Sequence, residues 1–330
     1  MDISAIKHRW QALWHPERYH GWGRQKAYFE GWYFKLIHPE DKAALAVIPG
    51  ISMDAHGKKE VFIQVLDGLN AKANYHTFPV DAFTPSPDRF HIHIGSNSFS
   101  NEEMILDLPE LKGQLSFSNM YPWPKTLGAP GIMGWYAFMP FMECYHGVWS
   151  MHHRLAGKLT WKGEELDFTN GRGYGEKDWG TSFPRGWIWT QCNHFDSSGE
   201  VSVMASTAHI PWLGTSFVGF IGGILFEGKL YRFATYTGSK RQARIEGEHI
   251  YIAFQDRQYT LEISAKPGAG AHLQSPLQGA MTGKVNESLQ AKMDVRFLKG
   301  NEVLFTGQGK WCGLEVAGEV DSLLSNEWTK

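Results

Sequence analysis

Three consecutive ionisable residues, Glu176, Lys177 and Asp178, offer acid–base chemistry within a short stretch of the chain. A glycine-rich run precedes them, and the aromatic run Trp187-Ile188-Trp189 follows. This order predicts a charged turn that leads into an apolar strand, with the ionisable groups at the rim of a nonpolar interior. Burial and neighbouring charges shift pKa values in such a place. The alternative is a hairpin whose tip carries solvated charges.

Glu176 and Asp178 lie two residues apart, so in an extended segment their side chains project the same way while Lys177 points oppositely. Two carboxyl groups so placed could share one proton, which would keep an acid available near neutral pH. The alternative is that Lys177 or Arg185 pairs with them and keeps both ionised. Secondary candidates for a base are Glu143, Tyr145, His146 and His194.

A third carboxylate, Glu30, lies within the aromatic run YFEGWYFK of residues 28–35. A charge between Phe29 and Gly31 is either solvated at a strand end or buried for a purpose. Aromatic rings near such acids could stabilise a cation through their π faces, and core packing is the alternative for each ring. The predicted substrate-binding residues are Trp32, Tyr33, Trp179, Trp187, Trp189 and His194.

The chain as a whole has the pattern of an all-β protein. Short apolar runs bounded by turn signals recur roughly every 8–12 residues. The 36 glycines and 14% aromatic residues suit many tight turns and a ring-lined cavity. The sequences around Gly31 and Gly186 echo each other, about one small barrel domain apart. We therefore predict an N-terminal arm (1–27), a first antiparallel barrel (28–160) and a second (161–330).

Composition excludes several classes of partner and site. The net charge of -2 and the lack of a long basic run argue against nucleic acid. Three widely spaced cysteines predict neither a disulfide framework nor a metal site, and they favour a reducing, cytoplasmic location. His91 and His93 are predicted to form the polar face of a strand rather than bind metal.

The most apolar run, Phe217–Phe226, has about half the length of a membrane span. It is predicted to be a buried strand pair that turns at Gly222-Gly223, or alternatively an interfacial patch. The expected partners are a hydrophobic small molecule and, transiently, a membrane surface.

Two blocks of this sequence resemble one family, the tocopherol cyclases. Residues 174–193, YGEKDWGTSFPRGWIWTQCN, are similar to that family's motif at most positions, and residues 28–35 resemble its opening block. Tyr19-His20-Gly21 fits the approach to that opening block. Gly175 stands where the family pattern has alanine.

The resemblance implies two tandem lipocalin-like barrels, related to carotenoid hydratases and Diels–Alderase folds, with a cavity at or between them. It also implies ring closure of a prenylated quinol to a chromanol, with no redox step and no cofactor. Such a reaction needs an acid in a dry cavity, for which Glu176, Asp178 and Glu30 are the candidates. The alternatives are a non-catalytic carrier of an isoprenoid and a tryptophan-lined carbohydrate-binding domain.

Overall fold

The computed structural model describes residues 3–140, 142–197, 199–212 and 214–330. The protein is all-β with antiparallel pairing, as predicted. The described part holds a single α-helix, α1 (Ile3–Ala12), and short 3₁₀ helices at Val80–Ala82, Gly134–Phe138, Thr235–Thr237 and Asp321–Leu323. None of the described helices is long and apolar enough to cross a bilayer.

The first sheet has twelve strands, and its path runs β4-β3-β2-β1-β12-β10-β9-β8-β7-β6-β5, with β11 paired to β10. Its strands are β1 (Tyr28–Ile37), β2 (Ala44–Met53), β3 (Lys59–Asp67), β4 (Lys72–Phe78), β5 (Phe83–Pro85), β6 (His91–Ile94), β7 (Asn97–Ser100), β8 (Glu103–Asp107), β9 (Leu111–Ser118), β10 (Cys144–Trp161), β11 (Glu164–Asp167) and β12 (Gly171–Gly180).

The second sheet has eleven strands in the order β16-β15-β14-β13-β22-β21-β19-β18-β17-β23, with β20 paired to β21. Its strands are β13 (Gly186–Cys192), β14 (Ser202–Trp212), β15 (Thr215–Phe226), β16 (Lys229–Ala234), β17 (Lys240–Glu246), β18 (His249–Gln255), β19 (Tyr259–Lys266), β20 (Ala271–Leu277), β21 (Ala280–Lys299), β22 (Glu302–Gly318) and β23 (Ser325–Thr329).

The two sheets repeat one topology. In each, the first strand (β1 or β13) lies between the strand that follows it and a strand at or near the end of the sheet's sequence (β12 or β22). The echoed sequences around Gly31 and Gly186 therefore occupy equivalent strands. The roles of these glycines differ, because a Cβ on Gly186 would lie 2.5 Å from the Glu319 carbonyl oxygen, while one on Gly31 would meet its nearest atom at 3.8 Å.

In each sheet, two strands at or near opposite edges follow each other directly in the sequence. β4 and β5 are the two ends of the first sheet's path, yet only residues 79–82 separate them in sequence. In the second sheet, residues 235–239 connect the edge strand β16 to β17, which is next to the other edge. Four or five residues span at most about 18 Å, so each sheet must curl strongly.

The described chain divides into two compact units. The first comprises residues 3–67, 73–183 and 274–284, and the second residues 68–72, 184–273 and 285–330. Each unit has its own buried apolar core, around Trp32, Phe34 and Trp149 in the first and around Ile188, Phe233 and Phe254 in the second. The predicted domain boundary at 160/161 does not coincide with the division into these two units. The turn at Gly163 closes a hairpin, and β11 and β12 pair with strands of the first sheet.

Two local predictions are corrected by tertiary packing. Gly222 and Gly223 lie inside the single strand β15, and the ring of Phe254 occupies the space a Cβ on Gly222 would need. Of the predicted arm, residues 1 and 2 lie outside the described residues, while Tyr19 and His20 are buried rather than peripheral.

Candidate active site

The ionisable run is not a turn but part of β12, which lies between β1 and β10. The strand is paired on both sides, and Glu176 and Lys177 are buried, at 5% and 0% exposure, by what packs on the two faces of the sheet. The prediction of solvated charges at a hairpin tip is therefore wrong, and so is that of a charged turn.

Strand alternation and register sort the neighbouring side chains into two sets, because directly paired residues share a face. The carboxylate face carries Tyr33, His146, Tyr174, Glu176 and Asp178. The lysine face carries Glu30, Trp32, Lys177 and Trp179.

On the carboxylate face, the imidazole of His146 lies between two acids. His146 Nδ1 is 2.8 Å from Asp178 Oδ1, and His146 Nε2 is 3.6 Å from Glu176 Oε2. His146 and Asp178 are cross-strand partners on β10 and β12, so the backbone register itself sets this contact. Glu176 is nearly enclosed, whereas the Asp178 side chain is 28% exposed and can exchange protons with solvent.

Two further groups donate hydrogen bonds to these acids. The Tyr174 hydroxyl donates to Glu176 Oε2 at 2.6 Å, and the Cys144 thiol donates to Asp178 Oδ1 at 3.8 Å. Burial raises the pKa of Tyr174, and the nearby charge of Glu176 raises it further. Burial and then the charge of Asp178 likewise raise the pKa of the Cys144 thiol. Both groups therefore stay protonated and remain donors.

The same three side chains could hold a cation. Within the described residues, one group of three side chains of metal-binding type has its ligand atoms close together: those of His146, Glu176 and Asp178 lie within 4.8 Å of one another. One imidazole nitrogen and two carboxylates are ligands that divalent metals accept. His91 lies elsewhere, with Nε2 at 2.8 Å from Ser98 Oγ.

On the lysine face, Lys177 forms a fully buried ion pair with Glu30. Glu30 also accepts hydrogen bonds from the backbone N–H of His20 at 2.8 Å, from that of Gly21 at 3.0 Å and from the Tyr28 hydroxyl at 2.6 Å. Burial alone would raise the pKa of Glu30, but the charge of Lys177 is the main effect that opposes it and lowers that pKa. Glu30 is thus a satisfied anion that ties the segment before β1 to the sheet.

Lys177 has further partners on this face. Its ammonium donates to the Arg18 carbonyl and to His20 Nδ1, and it lies 4.8 Å from the Trp32 ring centre and 4.7 Å from that of Trp179. Burial lowers the pKa of Lys177 to about 8. His20 is neutral, because burial and the charge of Lys177 lower its pKa, and its Nε2–H donates to the Ala12 carbonyl.

Two glycines of β12 make room for large rings of β10. A Cβ on Gly175 would lie 2.3 Å from the Trp149 ring, and one on Gly173 would lie 2.1 Å from His153 Nε2. The departure from the family's alanine at Gly175 therefore has a steric reason, since even a methyl group would collide with Trp149.

The remaining predicted site residues lie in the second unit. Trp187 and Trp189 are on β13, where Trp187 Nε1 donates to Glu315 Oε2 at 2.6 Å and Trp189 is buried. His194 follows β13, and its carbonyl accepts the backbone N–H of Lys310. Of the nine predicted site residues, the structure places Glu176, Asp178 and Tyr33 on one face and Glu30, Trp32 and Trp179 on the other.

Sequence reasoning overlooked several members of these two networks. Tyr174 lies two residues before Glu176, so strand alternation could have found it. The contacts of His20 with Lys177 and of Cys144 with Asp178 join residues more than thirty positions apart, at separations of 157 and 34. No local signal in the sequence marks those pairs.

An all-β chain with this carboxylate face can be compared with known proteins. The family model described as tocopherol cyclase-like matches residues 109–318. The chain belongs to the tocopherol cyclase-like family.

Two curated plant relatives agree with this membership. A probable chloroplastic tocopherol cyclase of Oryza sativa subsp. japonica is 25% identical over 381 positions, covering 92% of this chain and 81% of the rice protein. The chloroplastic tocopherol cyclase of Zea mays is 24% identical over 276 positions, covering 67% of this chain and 58% of the maize protein.

Two solved structures share the fold. A putative AttH from Nitrosomonas europaea is 14% identical, with a TM-score of 0.50 and coverage of 88% of this chain and 92% of that one. CghA in complex with Sch210972 is 10% identical, with a TM-score of 0.56 and coverage of 88% of both chains. These neighbours place the chain in the lipocalin-like AttH fold.

Proposed function

We propose that this protein catalyses acid-initiated cyclisation of a prenylated quinol to a chromanol. Family membership supports a cyclase-type activity. The observation that carries the proposal is the position of His146 between Glu176 and Asp178 on one face of β10 and β12. In this arrangement Glu176 is the proton donor, His146 a relay and Asp178 a second acid, and an acid–base cyclisation requires such a series.

In the proposed reaction, Glu176 gives its proton to a trisubstituted alkene of the prenyl chain. A C–H bond forms at the less substituted carbon and a tertiary carbocation forms at the other. The phenol oxygen attacks that cation, closing the ring as the O–H bond breaks. The reaction is an isomerisation, because the proton added to carbon is matched by the proton lost from oxygen.

The neighbours of Glu176 support its role as the donor. When the proton leaves, the hydrogen bond from Tyr174 stabilises the new carboxylate. Asp178 fixes the ring of His146 with Nδ1–H toward itself, so that Nε2 faces Glu176 and can return a proton to it. The proton lost by the phenol then re-enters the series formed by Glu176, His146 and Asp178. Because Asp178 is partly exposed, this series is in contact with solvent.

Aromatic residues are proposed to act according to their face. Tyr33 is the cross-strand partner of Glu176, so we assign its ring to stabilising the developing cation. A desolvated cation over a ring gains on the order of 2 kcal/mol. Lys177 already lies over one π face of Trp32 and one of Trp179, so we assign these two rings and Glu30 to holding the site in place. Trp187, Trp189 and His194 stay predicted substrate contacts.

The architecture is proposed to be two tandem lipocalin-like barrels. The short connections between strands at or next to opposite edges of each sheet support closure, as do the separate core clusters of the two units. A nonpolar interior next to the carboxylate face would exclude the water that otherwise captures a carbocation.

The test is turnover of a prenylated quinol under anaerobic conditions, with the chromanol measured by mass spectrometry. In D2O, the product is expected to gain one deuterium on carbon. Glu176→Gln removes the donor and should lower kcat about a hundredfold or more, since general acids contribute roughly 10²–10⁴. Asp178→Asn should lower kcat less, because it disturbs the orientation of His146 and the contact of the series with solvent but leaves the donor Glu176 in place.

Glu165→Gln is the matched control, because Glu165 is a 63% exposed carboxylate of the same unit, paired with Lys158. It should leave turnover unchanged. Full turnover by Glu176→Gln would refute the acid assignment. Saturable binding of the quinol with no ring closure by the unaltered protein would favour the alternative, a non-catalytic carrier.

A further inference from the structure

Helix α1 exposes two large apolar side chains, those of Ile6 and Trp10, and buries two small ones, those of Ala5 and Ala12. Ala5 and Ala12 are buried, whereas Ile6 and Trp10 are 42% and 62% exposed. Ile6 and Trp10 are four residues apart and so lie on the same face of the helix. A helix that only packs on its own domain shows the reverse order, with the large apolar residues inward.

Aromatic contacts continue this stripe into a loop. Trp10 packs against Trp14 at 5.5 Å between ring centres, and Trp14 packs against Phe138 at 5.8 Å. Phe138 ends the 3₁₀ helix in which Trp135 is 41% exposed, and Leu127, earlier in the same loop, is 88% exposed. We call the exposed set the helix–loop patch: Ile6, Trp10, Leu127 and Trp135.

Single exposed apolar residues are ordinary, but several of them on one helix and on a loop that ring contacts join to it indicate an interaction surface. Four of the nine large apolar side chains that are exposed in the described chain belong to the helix–loop patch. Ile245, Val303 and Val316 are exposed elsewhere, on strands of the second unit.

The charges of α1 identify the partner. Its sequence, ISAIKHRWQA, contains Lys7, His8 and Arg9 and no acidic residue. At about 100° per residue, Lys7 and Arg9 fall on opposite sides of the Ile6–Trp10 stripe. An apolar stripe with tryptophan, flanked by cations, is typical of a helix that lies in the headgroup region of an anionic bilayer.

We propose that the helix–loop patch docks onto the surface of an anionic phospholipid bilayer, with α1 lying in the plane of the interface. The inference goes beyond the proposed cyclisation and does not depend on it. A protein that docks in this way gains direct access to hydrophobic molecules dissolved in the bilayer.

Vesicle flotation tests the proposal with the full chain and two vesicle types: phosphatidylcholine alone, and phosphatidylcholine mixed with phosphatidylglycerol. The unaltered protein should float with the mixed vesicles. The double variant Ile6→Ser/Trp10→Ser should lower the partition coefficient about thirtyfold, from the apolar area withdrawn from the membrane. Lys7→Gln and Arg9→Gln should each lower it about fivefold on the mixed vesicles and have little effect on phosphatidylcholine.

Val303→Ser is the matched control, because Val303 is 45% exposed on β22 in the second unit; it should bind as the unaltered protein does. All variants should keep the unaltered melting temperature, since the replaced side chains are exposed or, for Arg9, partly exposed. Brominated phospholipids should quench part of the tryptophan fluorescence, and less of it in Trp10→Ser.

Failure of the unaltered protein to float, or unchanged flotation of the Ile6→Ser/Trp10→Ser variant, would overturn the proposal. A third outcome would also overturn it: sedimentation shows that the unaltered chain self-associates, and the Ile6→Ser/Trp10→Ser variant loses this self-association but still binds vesicles. In that case the helix–loop patch would be an interface between two copies.

Discussion

Replacing Lys177 with methionine tests how the buried charges of the lysine face are balanced. Methionine preserves much of the volume and length of the lysine side chain and removes its charge. The change leaves Glu30 at 0% exposure without its ion-pair partner. It also removes the hydrogen bond to His20 Nδ1 and the one to the Arg18 carbonyl.

Removing one partner of a buried ion pair costs about 3–5 kcal/mol of stability. Here Glu30 keeps hydrogen bonds from His20, Gly21 and Tyr28, so we expect the lower end, about 3 kcal/mol. At roughly 2–4 °C per kcal/mol, the melting temperature should fall by about 6–12 °C. The double variant Glu30→Gln/Lys177→Met removes both charges. Its loss of stability should be about 2 kcal/mol smaller than the sum of the losses in the two single variants.

Urea unfolding followed by tryptophan fluorescence measures these differences, because Trp32 and Trp179 flank Lys177 and report on its surroundings. Lys158→Met is the control: its ion pair with Glu165 is 59% and 63% exposed, and its loss should cost less than about 1 kcal/mol. A loss below about 1 kcal/mol for Lys177→Met would refute the reasoning, as would strict additivity in the double variant.

Two further predictions concern acid stability and packing. Burial opposes ionisation of Glu17, but its hydrogen bond with His15 and the charge of Lys125 prevail and lower its pKa to about 2. The lowered pKa means that ionised Glu17 stabilises the folded state by about 3 kcal/mol. This contribution is complete above pH 4.5, the pKa of a glutamate in the unfolded chain, and is lost as the pH falls toward 2. The Glu17→Gln variant should therefore lose less stability between pH 6 and pH 2 than the unaltered protein, which unfolding free energies measured over that range would detect. Equal slopes of unfolding free energy against pH for the two proteins would contradict this prediction. Gly173→Ala should cost about 1–3 kcal/mol because the methyl group meets the buried His153 ring, whereas Gly31→Ala, with its nearest atom at 3.8 Å, should be nearly neutral in thermal unfolding.

The sequence by itself determined the fold class and much of the family assignment. Period-two alternation and regularly spaced turn signals are local properties, so the all-β class follows from them. The echo around Gly31 and Gly186 marked equivalent strands of two sheets, although the surroundings of the two glycines differ. The fate of the Glu176–Asp178 run could not be predicted in this way.

Only the tertiary structure decided what the charged residues do. Whether Lys177 neutralises Glu176 or Glu30 depends on which strands flank β12 and in which register, and those partners are distant in sequence. The same pairing turned a predicted charged turn into a buried strand and brought His146 between the two acids. Burial and charge pairing act through space, so a linear pattern can nominate such residues but cannot assign their partners.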